Sequence, residues 1–345
     1  MIRVGILGAS GYTGFELIRI LVNHPGTTLL ALSSRGLEGE AVAAHYPAFK
    51  GFVDLRFLSP ESPVFEEADV VFSALPHGAS MQMVSKLLDK GVRVIDLSAD
   101  FRIKDVSVYE KWYQKHDCPH LLREAVYGLP ELYRKEIAGA KLVANPGCYP
   151  TSVILAAAPL LQRGLVKSDN IIADSKSGVT GAGRGLSLAT HFCEVNEGFG
   201  AYKVGGVHRH IPEMEQELSQ LAGSDIRITF TPHLVPMSRG ILSTLYLTPI
   251  EGVSESDVED AFHEAYDNEP FVRLCEKGRF PTTLQVRGSN FCDIGWKLDP
   301  RTGKLIVISA IDNLTRGASG QAVCNMNIMF EFDETMGLTF PPWQP

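Results

Sequence analysis

Apolar runs alternate with helical patterns over the first 147 residues of the chain. The chain opens with the apolar run "IRVGIL", then a glycine-rich turn, then a segment in which Leu17, Ile18, Leu21 and Val22 repeat at helical spacing. Further apolar runs, "TTLLALSS", "ADVVFSALP" and "VRVIDLSAD", are separated by turns and by the helical segment "SMQMVSKLLDKG". Nearly continuous apolar strands that alternate with helices predict a parallel sheet covered on both faces.

From Cys148 onward the pattern changes. The run "TSVILAAAPLL" predicts a buried helix, whereas "DIRITFTPHLV" and "GILSTLYLTPI" alternate more and carry more turn signals, as an antiparallel or mixed sheet does. Helical spacing resumes after Asn313, which is an available N-cap. We therefore predict an α/β fold with a Rossmann-type doubly wound domain over 1–147 plus 313–345, and a second, α+β domain over 148–312.

Length and charge exclude several classes of partner. A chain of 345 residues favours two domains over one core. Its 40 acidic and 32 basic side chains give a net charge of -8, with no run of lysines or arginines that could bind nucleic acid. The longest apolar run is far below the roughly 20 residues that span a bilayer, and the first residues lack a signal-peptide pattern. We expect no nucleic-acid or membrane partner and a cytoplasmic location.

The six cysteines are too sparse and irregular to predict a disulfide framework. The segment "KHDCPH" brings His116, Cys118 and His120 together, but no second cluster has zinc-finger spacing. A loop of solvated side chains is therefore favoured over a zinc site, and we predict no metal.

The turn "GASGYTG" is the first chemical signal. Gly8, Gly11 and Gly14 follow a strand and begin a helix. Small residues there let the backbone approach a pyrophosphate, whose charge is held by amide groups and the helix N-terminus. The spacing is G-x-x-G-x-x-G and not G-x-G-x-x-G, so a plain tight turn is the alternative.

The end of the second strand bears on which nucleotide binds. It reads "SSR", with Ser34 and Arg35 in place and Glu38 only later. An acidic residue would bind a free ribose, whereas an arginine accepts a 2′-phosphate, so NADP is favoured over NAD. The alternative for Arg35 is a solvated loop cation.

The segment "VANPGCYPTS" places a thiol at a helix start. Asn145, Pro146 and Gly147 form a turn, and Pro150 suits the first turn of the following helix. Unpaired amides and the helix dipole favour a thiolate at Cys148, which could then attack a carbonyl carbon. For the other five cysteines, packing or loop roles are favoured.

Two histidines offer proton transfer. The segment "GVHRHIPEMEQEL" carries His208 and His210 before an acidic helical run, and either could donate or accept a proton at working pH. Helix capping and interface hydrogen bonding are the alternative roles. Sequence spacing cannot choose between the two histidines.

Two further segments are candidates for anion binding. In "DLSADFR", Ser98 and Arg102 follow a strand, and a bidentate arginine suits a phosphate or carboxylate; an ion pair with Asp100 or Asp105 is the alternative. The loop "SKSGVTGAGRG" could line a cleft with backbone amides and one cation, although taken alone a flexible connection is favoured. The residues of interest in this loop are Ser177, Gly178, Gly181, Gly183 and Arg184.

Seven segments occur in an order that resembles a known family. "GASGYTG", "ALPHG", "DLSADFR", "NPGCYPT", "SGVTGAGR", "HRHIPE" and "DNLTRGASGQAV" run from residue 8 to residue 323. The chain resembles the N-acetyl-γ-glutamyl-phosphate reductases of arginine biosynthesis, within the wider group that contains aspartate-semialdehyde dehydrogenase. The resemblance implies a Rossmann domain, a second dimerising domain, and a homodimer or homotetramer.

The resemblance also implies roles for individual residues. Cys148 would accept the acyl group of an acyl phosphate, with His208 or His210 as acid and base, and Arg102 with Ser98 and Arg184 would bind the substrate. Asn145 and the amides around the cysteine would hold the developing oxyanion. NADP(H) would contact Gly8, Ser10, Gly11, Tyr12, Thr13, Gly14, Ser34, Arg35, Pro76, His77, Ser177, Gly178 and Asn313.

Three alternatives share much of this pattern. One is the lysine-biosynthesis relative that reduces a 2-aminoadipyl phosphate on an acidic carrier protein; the negative charge and the lack of a basic patch rank it second. Aspartyl phosphate is a further substrate candidate. A non-catalytic NADP-binding sensor is the third, and the presence of Cys148, both histidines and Arg102 together argues against it.

Overall fold

The computed structural model describes residues 1–343, which divide into two compact units. Unit 1 comprises Met1–Pro146 and Ala318–Phe340, and unit 2 comprises Gly147–Gly317 with residues 341–343. The two sequence-based boundaries were set at 147/148 and 312/313. The first differs by one residue from the unit boundary, whereas 313–317 and 341–343, which the prediction assigns to the first domain, group with unit 2.

A parallel sheet of seven strands forms the centre of unit 1 in the described residues. The strand order β3-β2-β1-β4-β5-β7-β6 reverses direction between β1 and β4, as in a doubly wound fold. The Rossmann-type prediction is thereby confirmed. The strands are β1 (Ile2–Leu7), β2 (Thr27–Ser33), β3 (Phe57–Leu58), β4 (Val70–Ser73), β5 (Arg93–Asp96), β6 (Val126–Tyr127) and β7 (Leu142–Ala144).

Helices connect these strands and cover the sheet. Helix α1 packs on β1 and β2, and α3 packs on β5. Apart from the partly exposed Ile2, the apolar residues of β1, β4 and β5 are buried, as expected for strands covered on both faces. The helices are α1 (Tyr12–Leu21), α2 (Val42–His45), α3 (Met81–Asp89), α4 (Val106–Trp112), α5 (Leu121–Glu124) and α6 (Pro130–Ala138).

Unit 2 contains a mixed sheet, also of seven strands in the described residues. The order is β12-β13-β14-β11-β8-β10-β9, with β8/β10 and β12/β13 parallel and the other pairs antiparallel. This confirms the prediction of a mixed sheet after Cys148. The strands are β8 (Ile171–Ser177), β9 (Gly200–Ala201), β10 (Ile228–Leu234), β11 (Ile241–Leu247), β12 (Val272–Leu274), β13 (Cys292–Leu298) and β14 (Leu305–Ile311).

One face of the unit 2 sheet is covered by helices. Helices α7 (Cys148–Gln162), α9 (Ile211–Ala222) and α10 (Glu255–Tyr266) pack there, while the short α8 (Phe192–Val195) lies in an exposed segment. Burial alternates along β8 and β11, so every second side chain points to the opposite face. That open face carries Ile172, Leu242, Tyr246, Ile306 and Ile308, each partly or fully exposed.

The chain leaves unit 2 through a π-helical turn (Thr315–Ser319) and enters α11 (Gly320–Met329), which packs on α1, α6 and β5 of unit 1. The prediction that Asn313 caps this helix is wrong. Its side chain accepts the Gly240 amide at 2.7 Å and donates to Thr180 Oγ1 at 3.0 Å, both in unit 2. These bonds place Asn313 in unit 2, seven residues before α11 begins.

The "KHDCPH" segment is a loop, but only part of it is solvated, with His120 exposed. His116 and Cys118 are buried, and His116 Nε2 lies 2.7 Å from the carbonyl oxygen of Asp100. In residues 1–343 no group of three or more His, Cys, Asp or Glu side chains is arranged to hold a metal ion. Among the helices of the same residues, none has the length and apolar character needed to cross a membrane.

Candidate active site

The glycine turn of unit 1 packs tightly against the sheet. Gly8 has a φ of +76°, and a Cβ there would lie 2.5 Å from the carbonyl oxygen of Ala74. A Cβ at Gly14 would lie 2.5 Å from the Cα of Ala9, whereas one at Gly11 would meet nothing closer than 3.6 Å. The first and third glycines thus serve the turn and the helix packing, and the second leaves open space above the turn.

The start of α1 suits a pyrophosphate. Within this described helix, no side chain caps the N-terminus and no acidic residue stands in the first turn, so amide groups and the helix dipole are left for an anion. Ser10, Tyr12 and Thr13 lie at this end, and Tyr12 is exposed. The open space at Gly11 and the backbone amide donors at the start of α1 therefore fit a dinucleotide.

Ser34 and Arg35 follow β2 beside the same turn. Ser33 Oγ accepts the Gly8 amide at 3.1 Å, and Ser34 Oγ donates to Ser10 Oγ at 2.9 Å. Arg35 forms an ion pair with Glu61 at 3.0 Å, in which both side chains are largely exposed. An exposed pair of this kind contributes about 0–1 kcal/mol, so Arg35 can exchange Glu61 for a phosphate at little cost.

The loop after β4 carries Pro76 and His77, and both are exposed. His77 Nδ1 accepts the Ala99 amide at 2.9 Å, so in the neutral ring the proton is on Nε2. The loop therefore lies at the carboxyl edge of the unit 1 sheet, next to the segment that follows β5.

That segment contains a buried acid cluster, which we define as Asp96, Ser98 and Asp100 with Ser80 and Tyr109. The Ser98 hydroxyl donates to Asp96 at 2.5 Å, and Ser80 Oγ donates to Asp100 at 2.8 Å. Burial, together with the negative charge of Asp100, raises the pKa of Asp96 to about 7. Ser98 is buried and its single hydrogen is used by Asp96, and its contact with substrate stays a prediction.

Arg102 and Asn145 are joined to each other within unit 1. The Arg102 guanidinium donates to the carbonyl oxygens of Asn145 and Leu97, each at 2.7 Å. The Asn145 amide donates to the Ala318 carbonyl at 3.1 Å and accepts from Asn325 at 3.1 Å, with the residue fully buried. These contacts give Asn145 a positioning role, and its oxyanion role and the phosphate role of Arg102 remain predictions.

In unit 2, Cys148 is the first residue of α7. Gly147 is the N-cap, with extended backbone angles, and its amide donates to the buried Glu213 at 2.7 Å. The hydroxyl of Thr151 donates to the Gly147 carbonyl at 3.0 Å. Cys148 is partly exposed, so the helix start is held while the thiol stays accessible.

Gly317 packs directly against the cysteine. A Cβ at Gly317 would lie 2.7 Å from the Cβ of Cys148, closer than two carbon atoms can approach. Gly317 is fixed by the bond from its amide to the Asp312 carbonyl at 2.9 Å. The Asp312 carboxylate is fully buried and forms a bidentate ion pair with Arg239, at 2.9 and 2.8 Å.

Two tyrosines, Tyr149 and Tyr202, interact electrostatically with Cys148. Tyr202 donates to the Tyr149 hydroxyl at 3.1 Å. Burial raises the pKa of Tyr202 to about 12, and the charge of the Cys148 thiolate adds to the increase. The pKa of Tyr149 is raised by the same two causes and by Tyr202. Both phenols therefore stay protonated at neutral pH and remain hydrogen-bond donors.

The two histidines differ in their surroundings. Burial lowers the pKa of His208 to about 4, helped by the positive charges of Lys203 and Arg209. His208 Nδ1 accepts the backbone amide of His210 at 3.1 Å, so its neutral ring carries the proton on Nε2. His210 is more exposed and directly precedes α9; its ring lies 5.0 Å from that of His208 and 6.0 Å from that of Tyr149.

The remaining predicted residues also lie in unit 2. Ser177 ends β8 with its hydroxyl bonded to the Gly178 carbonyl, and a Cβ at Gly178 would lie 2.7 Å from the Ser238 carbonyl oxygen. Arg184 is in the exposed loop that follows. The predicted contacts of Ser177, Gly178, Arg184 and Asn313 with cofactor or substrate stay predictions.

Sequence reasoning missed several residues around Cys148. Glu213 stands in the "HRHIPE" segment and Gly317 in the "TRGASG" segment, so a motif pointed toward both. Asp312 opens the "DNLTRGASGQAV" segment, so a motif pointed toward it as well. Tyr202 carries no such local signal, because its contacts come from residues distant in sequence.

Comparison with known protein families divides the chain in the same way as the two structural units. A family model described as "Semialdehyde dehydrogenase, NAD binding domain" matches residues 3–140, and one described as "Semialdehyde dehydrogenase, dimerisation domain" matches residues 148–313. The chain belongs to the semialdehyde dehydrogenase family. This confirms the family resemblance inferred from the seven segments.

Curated members of the family are similar over their full length. The protein named N-acetyl-gamma-glutamyl-phosphate reductase in Syntrophobacter fumaroxidans is 61% identical, with 100% of both chains covered. The protein of the same name in Symbiobacterium thermophilum is 55% identical, covering 98% of this chain and 97% of the relative.

Solved structures of the family share the fold. Aspartate semialdehyde dehydrogenase II from Vibrio cholerae has a TM-score of 0.75 at 18% identity, covering 96% of this chain and 99% of that one. Aspartate semialdehyde dehydrogenase with NADP from Candida albicans has a TM-score of 0.68 at 15% identity, covering 96% and 99%. At these identities the likeness supports the fold alone.

Proposed function

We propose that the protein reduces N-acetyl-γ-glutamyl phosphate to the semialdehyde with NADPH, releases phosphate, and serves arginine biosynthesis. The observation that carries the proposal is Cys148 at the N-terminus of α7, accessible and held in place by Glu213 and Gly317. The full-length similarity to curated reductases of that name supports the choice of substrate.

The thiolate of Cys148 is the proposed nucleophile. The helix dipole and the amides of the first turn favour the thiolate over the thiol. Its attack on the γ-carbonyl forms a C–S bond, the C–O bond to phosphate breaks, and a thioester remains on the protein. Tyr149 and Tyr202 keep their protons at neutral pH, so neither phenol adds negative charge to the surroundings of the thiolate.

We assign the proton transfer to His210. A catalytic acid or base works best when its pKa is near the operating pH, and burial holds that of His208 at about 4. His208 stays neutral and presents an Nε2–H donor in a fixed orientation. His210 is the more exposed of the pair and follows the same backbone turn, so we propose that it exchanges a proton with the substrate oxygen as the semialdehyde is released.

The cofactor site is proposed at the Gly8 turn, with Ser34 and Arg35 toward the 2′-phosphate. When bound, NADPH would supply hydride to the acyl carbon. The exposed Arg35–Glu61 pair and the Ser34–Ser10 bond support a phosphate at the end of β2. We expect Arg35→Ala to raise the KM for NADPH by about tenfold or more while the KM for NADH is unchanged, because charged hydrogen bonds contribute about 1.5–3 kcal/mol.

Substrate-dependent oxidation of NADPH tests the proposed function. The purified protein should oxidise NADPH with N-acetyl-γ-glutamyl phosphate and release one phosphate per NADPH, and it should turn over aspartyl phosphate or a carrier-linked 2-aminoadipyl phosphate far more slowly. NADPH binding without oxidation of any of these substrates would favour the sensor alternative.

Arg3→Ala is the matched control for Arg35→Ala, because Arg3 also forms an exposed ion pair, with Asp69.

We further propose that the open face of the unit 2 sheet pairs with a second copy of the chain. Its exposed or partly exposed apolar side chains, among them Ile172 and Tyr246, and the match to a dimerisation domain support this occupant. Thr244→Arg, in the centre of that face, should convert the dimer to monomer in sedimentation velocity, whereas the exposed Thr302→Arg should not. An unchanged sedimentation coefficient for Thr244→Arg would contradict the assignment.

A further inference from the structure

The loop 74–80 connects β4 to α3 in unit 1. It begins beside the glycine turn, since a Cβ at Gly8 would contact the Ala74 carbonyl oxygen. Pro76 and His77 are exposed, whereas Ser80 is fully buried. One end of the loop is therefore presented to a ligand while the other end is anchored inside the unit.

Asp100 is the anchor. Both of its carboxylate oxygens accept the Gly78 amide, at 2.8 and 2.9 Å, and the same carboxylate accepts the Ser80 hydroxyl at 2.8 Å. The Tyr109 hydroxyl donates to it at 2.7 Å. Asp100 is fully buried, so three donors replace the water that its charge would otherwise require.

The backbone at Gly78 explains why the loop needs such an anchor. Its φ is +81°, and a Cβ there would lie 2.2 Å from Gln114 Nε2. A glycine in this conformation is free to move unless its amide is held. The Ala99 amide binds His77 Nδ1 at 2.9 Å, so two adjacent residues, Ala99 and Asp100, fix two adjacent residues of the loop.

We propose that Asp100 is a positioning residue that fixes the exposed His77 edge of this loop for the nicotinamide cofactor. This inference rests on the proposed function for its ligand. Asp100 acts through Gly78 and Ser80 and does not itself touch the reacting atoms. The chemistry at Cys148 that precedes hydride transfer is expected to proceed without it.

Asp100→Asn tests the proposal, because it keeps the shape but replaces one acceptor oxygen by an NH2 group facing donors. In the cofactor-free protein, exchange of the Gly78 amide hydrogen, followed by NMR, should accelerate by about tenfold or more, because a charged hydrogen bond is lost. NADPH affinity, measured by calorimetry, should weaken by a similar factor.

Two kinetic readouts separate positioning from general damage. The burst of phosphate release on mixing with acyl phosphate should keep its wild-type rate. The deuterium isotope effect on kcat with NADPH deuterated at the transferred position should rise, because hydride transfer becomes slower. Asp105→Asn is the matched control: Asp105 is an exposed N-cap of α4, and asparagine caps as well as aspartate, so NADPH affinity should stay within about twofold.

Wild-type Gly78 exchange and NADPH affinity in Asp100→Asn would overturn the proposal. If that variant does not fold, Ser80→Ala decides: removal of one hydroxyl donor should accelerate Gly78 exchange and weaken NADPH binding by a few-fold, and wild-type values would overturn the proposal. Gly78 exchange and NADPH affinity are both measured without the acyl phosphate. Absence of turnover with that substrate would therefore overturn the proposed function while leaving this test intact.

Discussion

Replacement of Gly317 by alanine probes how closely the protein positions its thiol. The added Cβ would lie 2.7 Å from the Cβ of Cys148, 3.2 Å from its Cα and 3.3 Å from Ile311 Cδ1. Carbon atoms in contact are normally about 3.5–4.0 Å apart, so a relative shift of nearly 1 Å is needed. The Gly317 amide is bonded to the Asp312 carbonyl, which resists movement on that side.

The expected effects follow from that displacement. A misplacement of about 1 Å at a reacting group can reduce the rate by about 100-fold, equivalent to a barrier increase of about 2.7 kcal/mol. Overpacking of this size costs about 1–3 kcal/mol in the free energy of unfolding. We therefore expect a large loss in kcat/KM with a folded protein.

The assay combines steady-state reduction of acyl phosphate, alkylation of Cys148 by iodoacetamide, and urea unfolding. Labelling is followed in a Cys193→Ser background, because Cys193 is exposed. Gly198→Ala is the control, since a Cβ there meets nothing within 4 Å. Activity of Gly317→Ala within about twofold of wild type would refute the reasoning.

Three further predictions concern the surroundings of the same site. The pKa of His208 is about 4 in the folded protein and 6.5 in the unfolded chain, so the unfolded chain binds more protons and the free energy of unfolding should fall as pH drops from 7 toward 4. In urea melts, His208→Gln should make this decline shallower between pH 7 and 5. An equal decline in the variant and the wild type would contradict the prediction. Arg239→Met leaves the buried Asp312 without its bidentate partner and should cost about 3–5 kcal/mol of unfolding free energy, a loss below about 1 kcal/mol being inconsistent with the pair. Glu213→Ala leaves the Gly147 amide without its acceptor and should cost about 1–3 kcal/mol and slow alkylation of the thiol, whereas Glu213→Gln should lose less; equal losses would contradict this role.

The local part of the fold could be predicted from sequence. The Gly8 turn and the start of α7 each depend on neighbours within a few residues, and turn residues and helix starts have direct signals in the chain. The alternation in β10 and β11 likewise predicted an antiparallel or mixed sheet.

Side-chain partners distant in sequence could not be predicted. Asn313 looked like a helix cap, yet its amide is used by Gly240 and Thr180, 73 and 133 residues away. Ser98 is a different case, because its partner Asp96 is only two residues away, but spacing does not reveal the direction in which the hydroxyl points. The buried His116 was expected in solvent for the same reason, because its partner is the backbone of Asp100.

The same limit applied to the histidine pair. Spacing placed His208 and His210 together but could not distinguish them. Burial by Tyr149, Tyr202 and Phe230 around the His208 ring separates the two environments, and none of these aromatic residues lies in the histidine segment.

Peptide mass spectrometry of the acyl-enzyme tests the central claim most directly. The protein is mixed with N-acetyl-γ-glutamyl phosphate without NADPH, quenched in acid and digested. We predict one N-acetylglutamyl group on Cys148, which NADPH removes when it is added before the quench, and no adduct or turnover in Cys148→Ala with NADPH binding retained. Turnover by Cys148→Ala, or an adduct that forms on another residue and discharges with NADPH, would contradict the account.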